Sequence, residues 1–426
     1  GVYYTPREIV HYMCQESLKN YLATELQGKV SQGDIETFIK YGERFTENEE
    51  TALIKEKKIK EGEQKSSEYK YQLPEDIRAN AKLMDEKLEN IKVCDPAIGS
   101  GAFPIGMMHE IVKLRKLLSI YLENNVKTYD LKRHCIENSL YGVDIDAGAV
   151  EICKLRFWLS MIVDEEDFYN IKPLPNLDYK VVCGNSLLGF PENWKSETSE
   201  RIERLFDKYF SETNPTRKNQ LKDEIDTNIK RRLEGSEQNF GYRIDFDFRL
   251  FFPKVFHQEN QKYGFDVVLA NPPYVRQERI KDLKPFLQRA RYEVYNSTSD
   301  IYTYFYEKGW QILKPDGVLC FISSNKWMRA KYGEKLRKFF KEKTTLKQII
   351  DFNGYKVFEA TVDTNIILFQ KAKSTNNTIN VLNIKSDFTK DKDITNYLQH
   401  HNLQIKQSDL DEKCFTLADD SVLKLK

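Results

Sequence analysis

The sequence predicts an α/β fold built on a doubly wound, largely parallel sheet. Short apolar strands end at polar or glycine-rich turns, and a helix with an apolar stripe follows most of them. Hydrophobic residues make up 40% of the 426 residues and charged residues 31%, a composition that excludes both a disordered chain and a membrane protein. No apolar run is long enough to span a bilayer, and no secretory signal opens the chain. We therefore expect a cytoplasmic protein.

Seven segments have the composition of strands, at 91–94, 140–143, 179–183, 265–270, 317–322, 346–351 and 364–369. Helices are expected at 7–27, after residue 102, after residue 146, near 299–313 and at 328–343. The helix after residue 146 is expected to bury the face that carries Ala149, Ile152, Leu155, Leu159 and Ile162. The connection between the last two strands is too short for a helix, which predicts antiparallel neighbours. The sheet should then have six parallel strands and one reversed strand.

Two charged, helical stretches interrupt this alternation, at residues 28–90 and 190–262. We expect both to be insertions in one domain that spans residues 1–372. Residues 373–426 have a weaker pattern, which indicates the start of a separate C-terminal region.

The charge is unevenly distributed along the chain, and the cysteines show no metal-binding spacing. Residues 271–350 contain 17 basic and 8 acidic residues, whereas the net charge of the whole chain is +1. This segment is either a surface that faces a polyanion or a set of solvated helix faces. The seven cysteines include no CxxC pair, so we predict free thiols and no metal site.

The first candidate site is the turn from Asp95 to Phe103, which lies between a strand and a helix. Gly99 and Gly101 allow a sharp turn and a close approach of a ligand to the backbone. Such turns at the carboxyl edge of a parallel sheet bind nucleotides. Here an acid precedes the glycines, where it suits an ammonium group and would repel a pyrophosphate. This order argues against a nicotinamide-dependent oxidoreductase.

Two further polar positions follow the next strands. Asp144 can accept the hydroxyl groups of a ribose, and Asp146 has the position of a helix N-cap. Asn185 either reads the edge of an adenine ring or forms a turn, because Asn tolerates left-handed backbone.

The tetrapeptide Asn271-Pro272-Pro273-Tyr274 follows the fourth strand and is the most specific signal. The two prolines fix the backbone and remove two N–H donors, so the Asn271 side-chain oxygen and the Pro272 carbonyl remain as acceptors. Two converging acceptors suit an exocyclic amino group, and Tyr274 offers a flat face for a planar base.

Taken in order, these motifs resemble those of the N6-adenine DNA methyltransferases of the gamma arrangement, as found in type IIG restriction–modification enzymes. That family begins with a Thr-Pro motif, matched by Tyr4-Thr5-Pro6, and ends with a Phe before the last strand, matched by Phe358. Between them lie the acid-Pro-x-x-Gly-x-Gly-x-Phe turn at 95–103, the acid Asp144 and the motif at 271–274. The resemblance covers residues 1 to about 372.

The resemblance implies a Rossmann-like class I S-adenosylmethionine-dependent methyltransferase fold with a seven-stranded mixed sheet. It implies a site-specific, adenine-specific DNA methyltransferase that flips its target base out of double-stranded DNA. Catalysis would fall to Asn271, Pro272, Pro273 and Tyr274, with Tyr274 and Phe358 stacking on the base. The cofactor S-adenosylmethionine would contact Thr5, Pro6, Asp95, Pro96, Ala97, Gly99, Gly101, Phe103, Asp144, Ile145 and Asn185, and no metal would be needed.

Two departures from the family pattern are visible. Many relatives carry Asp where this chain has Asn185, and only about 54 residues follow the last strand of the domain. We therefore expect residues 373–426 to be the start of a truncated target recognition region, and the nuclease domain and the rest of the target recognition domain of such enzymes to lie outside this chain. Two alternatives remain open: an enzyme that methylates protein glutamine or RNA, which uses the same tetrapeptide, and a non-catalytic DNA-binding modification subunit.

Overall fold

The computed structural model describes residues 4–63, 69–163, 171, 175–191, 197–256, 263–359, 362–374, 376–389 and 392–417. In this part of the chain one mixed sheet of nine strands carries the fold. Its strands are β1 (Val93–Asp95), β2 (Leu140–Asp144), β3 (Val181–Cys183), β4 (Phe265–Ala270), β5 (Leu313–Ser324), β6 (Thr345–Asp351), β7 (Thr364–Gln370), β8 (Thr378–Asn383) and β9 (Leu403–Lys406).

The strand order is β3-β2-β1-β4-β5-β7-β6-β8-β9. Strands β1 to β5 pair in parallel, and β7 lies antiparallel between β5 and β6. The predicted α/β class and the predicted reversed strand are both confirmed.

The prediction of seven strands is wrong, because β8 and β9 extend the sheet beyond β6. Both strands come from beyond residue 372 and lie at the edge of the sheet, where each alternates buried and exposed positions. Such short, half-buried strands lack the continuous apolar run that identifies central strands. The strands β8 and β9 therefore belong to the same sheet as β1 to β7. A recognition role for residues 373–426 stays a prediction.

Seventeen α-helices surround the sheet in the described residues. They are α1 (Arg7–Glu25), α2 (Gln32–Tyr41), α3 (Thr46–Lys60), α4 (Glu75–Ala79), α5 (Ala81–Asn90), α6 (Ala102–Tyr121), α7 (Thr128–Asn138), α8 (Ala147–Ile162), α9 (Glu197–Ser211), α10 (Pro215–Leu233), α11 (Ser236–Phe240), α12 (Phe248–Phe251), α13 (Pro253–Phe256), α14 (Lys284–Arg289), α15 (Tyr302–Ile312), α16 (Glu334–Lys343) and α17 (Ile394–His401). None of these helices is long and apolar enough to cross a membrane.

Successive residues of the central strands point to opposite faces of the sheet. Val267 and Leu269 enter one hydrophobic core, which the helices α1, α2, α5, α6 and α8 share. Val268 and Ala270 enter a second, strongly aromatic core on the other face, with α15 and α16. The stretch 28–90 is part of the first core, whereas α9 and α10 pack on each other over a small core of their own.

Helix α8 buries a different face from the one expected. Its buried residues are Val150, Cys153, Phe157 and Met161. Ile152, Leu155 and Leu159 are 53%, 53% and 44% exposed. The helix carries two apolar stripes, so the spacing alone did not indicate which stripe packs on the sheet.

Helix α1 is anchored across the sheet at both of its ends. Tyr12 donates a 2.6 Å hydrogen bond to Gln348 Oε1 on β6. Glu25 accepts a 2.7 Å bond from Lys314 Nζ, which also contacts Asp266 on β4. Together these contacts hold α1 against the sheet, from its second turn to its last residue.

Candidate active site

The candidate site lies where the parallel strands β1, β2 and β3 end side by side. Asp95 pairs in register with Gly142 and Asp144 pairs with Cys183. The loops that follow these strands therefore meet at one edge of the sheet, as expected for a site on a doubly wound sheet.

The loop after β1 is a tight turn over a buried acid. Asp95 is 1% exposed, and its Oδ1 accepts a 2.9 Å hydrogen bond from the Ala97 N–H. Burial raises the pKa of Asp95 well above its usual range, and the nearby charge of Asp144 raises it further. An uncompensated carboxyl in such a place favours a cationic partner.

The two glycines of this turn both have left-handed backbone, with φ of 51° at Gly99 and 82° at Gly101. A Cβ on Gly101 would lie 2.5 Å from Cys153 Sγ, so helix α6 begins in direct contact with α8. At Gly99, by contrast, no described atom lies within 4 Å of a Cβ position. This side of the turn is open to a ligand.

Asp144 connects the loops after β1 and β2 through two hydrogen bonds. Its Oδ2 accepts from the Gly99 N–H and its Oδ1 from the Asp146 N–H, both at 2.9 Å. Asp146 in turn accepts from the Gly148 N–H at 2.8 Å, which confirms its expected role as the N-cap of α8. The neighbouring Ile145 is 73% exposed beside this polar cluster.

Asn185 forms a turn in this structure. Its Oδ1 accepts a 3.0 Å hydrogen bond from the Leu187 N–H. Its own N–H donates to Asp245 Oδ1 at 2.9 Å. Sequence reasoning missed Asp245, because it lies within the stretch 190–262 and belongs to no motif. The sequence around Asp245 gives only a weak indication of a site, namely an acidic residue between two apolar ones.

Of the other predicted cofactor residues, Pro96 and Pro6 lie in the segments that form the site, whereas Phe103 lies in the core. The Pro96 carbonyl accepts a 2.6 Å bond from Ser186 Oγ, which ties the first turn to the loop after β3. Pro6 accepts from the Val10 N–H at 3.0 Å and begins α1. Phe103, in contrast, is 3% exposed within the first core, so its side chain supports the turn from beneath.

Asn271 immediately follows β4 and contacts the segment ahead of α1. Its Nδ2 donates a 3.1 Å hydrogen bond to Thr5 Oγ1, and Thr5 is 4% exposed. Because the amide nitrogen is directed at Thr5, the amide oxygen is the end presented on the other side. The next residue, Pro272, is buried.

Tyr274 and Phe358 contact each other as an edge-to-face pair, and their stacking on a base stays a prediction. Their ring centroids are 6.0 Å apart at an interplanar angle of 67°. Phe358 is 5% exposed and belongs to the first core. The rings therefore contact each other, and a base could enter between them only if they moved apart. Phe358 also lines a cleft of about 1270 Å³ beside α1, together with Tyr4, Pro6 and Tyr355.

The basic segment 271–350 contains both surface and internal cations. Exposed cations follow β4 and β5, next to the tetrapeptide: Arg276, Arg279, Lys281, Lys326, Arg329 and Lys331. Arg337 is 1% exposed and donates to the Ala330 and Lys413 carbonyls at 2.9 and 2.8 Å. Lys314 is held by two carboxylates. The six exposed cations thus follow the strands that end beside the tetrapeptide, while Arg337 and Lys314 stabilise the fold.

In the described residues no group of His, Cys, Asp and Glu is arranged to hold a metal ion. The described cysteines are all free thiols.

Comparison with known proteins gives a family match. The Eco57I restriction-modification methylase family matches residues 138–358, which is more than half of the chain. The chain is similar to RM.MjaORFECS2P of Methanocaldococcus jannaschii, at 34% identity over 202 residues, covering 46% of this chain and 15% of that protein. It is also similar to the type II restriction enzyme and methyltransferase RM.Eco57I of Escherichia coli, at 26% identity over 311 residues, covering 69% of this chain and 26% of that protein.

The fold is shared with a solved structure of the ATP-dependent type ISP restriction-modification enzyme LlaBIII bound to DNA. The TM-score is 0.53 at 13% identity, and the match covers 99% of this chain and 23% of that one. In each of these comparisons the chain spans about a quarter or less of the other protein's length.

Proposed function

This chain belongs to the Eco57I restriction-modification methylase family, and we propose that it transfers a methyl group from S-adenosylmethionine to N6 of adenine in double-stranded DNA. It would be the modification part of a restriction–modification enzyme. The observation that carries the proposal is the position of Asn271, which follows β4 at the catalytic edge and is held by Thr5.

The residues after β1 and β2 fit S-adenosylmethionine. Asp95 is a buried acid whose pKa is raised by burial and by the charge of Asp144, and the ammonium of the methionine part would compensate its charge. Asp144 has acceptor capacity left for ribose hydroxyls, since each carboxylate oxygen takes more than one hydrogen bond. The open face of Gly99 and the exposed Ile145 leave room for the nucleoside. The residues that would hold the cofactor are Thr5, Pro6, Asp95, Pro96, Ala97, Gly99, Gly101, Asp144, Ile145 and Asn185.

When bound, the cofactor supplies an electrophilic methyl group on a sulfonium sulfur. The N6 amino group of adenine is a weak nucleophile, because its lone pair is delocalised into the ring. Asn271 Oδ1 and the Pro272 carbonyl would accept its two protons and hold the nitrogen in line for attack. This is catalysis by positioning and by oriented dipoles, and it requires neither a covalent intermediate nor any of the seven cysteines.

A base paired inside a duplex cannot reach Asn271, so the adenine must be flipped out at a cost of a few kcal/mol. Tyr274 and Phe358 would part to receive it, exchanging their contact with each other for stacking on the base. Each stacked face is worth about 1–3 kcal/mol, enough to offset the flipping cost. The exposed cations after β4 and β5 would bind the phosphates on either side.

A methyl-transfer assay with radiolabelled cofactor tests the proposal, using duplex DNA, RNA and a protein extract as separate acceptors. The radioactive methyl group should enter duplex DNA. After digestion of the DNA to nucleosides it should be recovered as N6-methyl-2′-deoxyadenosine. Asn271→Ala is the matched control and should abolish incorporation without loss of cofactor binding.

The same assay decides between the alternatives. Incorporation into protein or RNA, with none into DNA, would contradict the proposal in favour of a glutamine or RNA methyltransferase. DNA binding without cofactor binding would indicate a non-catalytic subunit.

A further inference from the structure

We propose that Asp245 recognises the exocyclic amino group of the cofactor's adenine, a task that the side chain of Asn185 does not perform. This inference rests on the proposed function, because it concerns the specificity of the same cofactor site. It assigns a role to the stretch 190–262, which lies outside every motif of the chain.

The side chain of Asn185 is engaged elsewhere. Its Oδ1 accepts the Leu187 N–H at 3.0 Å and turns back on its own loop. Its amide NH₂ can only donate, and it cannot accept from an amino group. A carboxylate next to this loop would be a stronger acceptor for an amino group than the amide oxygen, which is turned toward its own backbone.

Asp245 supplies an acceptor at this place. Its Oδ1 accepts the Asn185 N–H at 2.9 Å, and the residue is exposed at the site edge. Burial raises the pKa of the neighbouring Cys183 thiol, and the carboxylates of Asp245, Asp144 and Asp146 raise it further. These charges place Asp245 on the same edge as the two acids after β2.

The backbone around Asp245 is firmly held. Ile244 and Phe246 are 1% and 0% exposed, whereas Asp245 between them is exposed. Phe246 packs closely on Gly184: a Cβ added to Gly184 would lie 2.3 Å from the Cβ of Phe246. The Ile244 N–H donates to Ser236 Oγ at 3.0 Å. The carboxylate is thus presented on a rigid support, as a specificity residue requires.

An ionised carboxylate accepts hydrogen bonds and donates none. It would bind the 6-amino group of adenine and repel the 6-oxo group of hypoxanthine. The simpler role is purely structural, in which Asp245 only joins the insertion to the loop after β3. The two roles differ in what they predict for a ligand that lacks the amino group.

The test measures dissociation constants by calorimetry for S-adenosylhomocysteine and S-inosylhomocysteine, which differ only at position 6 of the purine. The protein should bind the adenosine form at least about tenfold more tightly, as for one hydrogen bond to a charged group. Asp245→Asn keeps an acceptor for the Asn185 N–H and adds a donor that can face the 6-oxo group. It should reduce the preference to near unity or reverse it.

Two control variants separate this role from others. Asp146→Asn makes the same charge change nearby and keeps a good N-cap, so it should leave the preference unchanged. Asp144→Asn should weaken both ligands alike, because they share the ribose.

An unchanged preference in Asp245→Asn would overturn the inference and leave Asp245 as a structural residue. So would an equal loss of both ligands accompanied by a lower melting temperature. If the unmodified protein bound neither ligand, the proposed function itself would fail, and the specificity claim would fall with it.

Discussion

The side-chain amide nitrogen of Asn271 donates a hydrogen bond to Thr5 Oγ1, joining two residues 266 positions apart. One end of this bond follows β4 and the other precedes α1. Since Thr5 takes the nitrogen, the amide oxygen is fixed as the acceptor, and it is buried in this structure. The Thr-Pro segment thus acts as a positioning element for the tetrapeptide, in addition to its expected place beside the cofactor.

Thr5→Val removes this acceptor while keeping the shape of the side chain. We expect the single-turnover rate of methyl transfer to fall by about three- to tenfold, since a neutral hydrogen bond contributes about 1 kcal/mol. Thr5→Ser keeps the hydroxyl and should retain most of the rate. Cofactor affinity, measured by calorimetry, should fall by less than the rate of methyl transfer in both variants. A loss confined to affinity would mean that Thr5 binds the cofactor and does not orient Asn271.

Much of this site could be predicted from the sequence, because its motifs follow strand ends and the chemistry resides in short segments. Asp95, Asp144 and Asn271 all lie at the predicted sheet edge. The partner of Asn271 could not be predicted, since nothing local indicates which segment reaches it. Asp245 was missed for the same reason: its position depends on how a long insertion packs.

The contact between Tyr274 and Phe358 predicts how Phe358→Ala should behave in methyl transfer. The variant loses one stacking face, so productive binding of a fully paired duplex should fall by about tenfold or more. A duplex whose target adenine is already mispaired costs less to open and should partly rescue the variant. Single-turnover rates on the two duplexes measure this difference.

Phe388→Ala serves as the control, because it truncates a buried ring that packs on Tyr355 and Tyr397 elsewhere in the same core. It should lower stability without the dependence on base pairing. Equal impairment of Phe358→Ala on both duplexes would make Phe358 a core residue only.

Asp144→Ala should weaken cofactor binding by about 1.5–3 kcal/mol, as for lost hydrogen bonds to a charged group. The same change removes the acceptor of the Gly99 N–H, so the first turn should loosen as well. Hydrogen exchange at Gly99 would report the loosening, and calorimetry the affinity. Unchanged affinity would show that the ribose binds elsewhere.

The outline of the sheet was predictable where strands are central and continuously apolar, as in β4 and β5. It was not predictable at the edge, where β8 mixes Thr378 and Asn380 with Ile379 and Val381. The face of α8 was also misassigned, because burial there depends on which stripe meets the sheet. Tertiary packing determines where edge strands form and which face of a two-striped helix is buried, and the spacing of apolar residues does not contain this information.

The exposed cations at the catalytic edge predict a salt-dependent affinity for DNA. Arg276→Gln and Lys326→Gln should each reduce the slope of log affinity against log salt by about one unit. Lys60→Gln on α3, whose side chain is 72% exposed, should leave the slope unchanged. Fluorescence anisotropy with unrelated duplexes measures the slopes, which should not depend on sequence, because phosphate contacts carry no sequence information. Equal slopes in all variants would place the phosphate contacts on another surface.

Asp95 predicts a conflict between stability and function. Burial, and then the charge of Asp144, raises the pKa of Asp95 above its ordinary value of 3.8. The folded protein therefore binds this proton more tightly than the unfolded chain does, and wherever Asp95 is ionised its charge lowers the free energy of unfolding. This loss of stability decreases as the pH falls from the raised pKa of the folded state toward the ordinary pKa of the unfolded chain.

Asp95→Asn removes the charge and keeps an oxygen to accept the Ala97 N–H. In the absence of cofactor, its melting temperature should exceed that of the unmodified protein at pH 8, and the difference should narrow at pH 5. Its affinity for S-adenosylmethionine should fall, because a neutral amide cannot balance the ammonium of the ligand. Asp95→Ala, which also loses the turn hydrogen bond, should be less stable than Asp95→Asn at both pH values. A melting temperature for Asp95→Asn below that of the unmodified protein at pH 8 would show that the charged form of Asp95 is compensated within the fold.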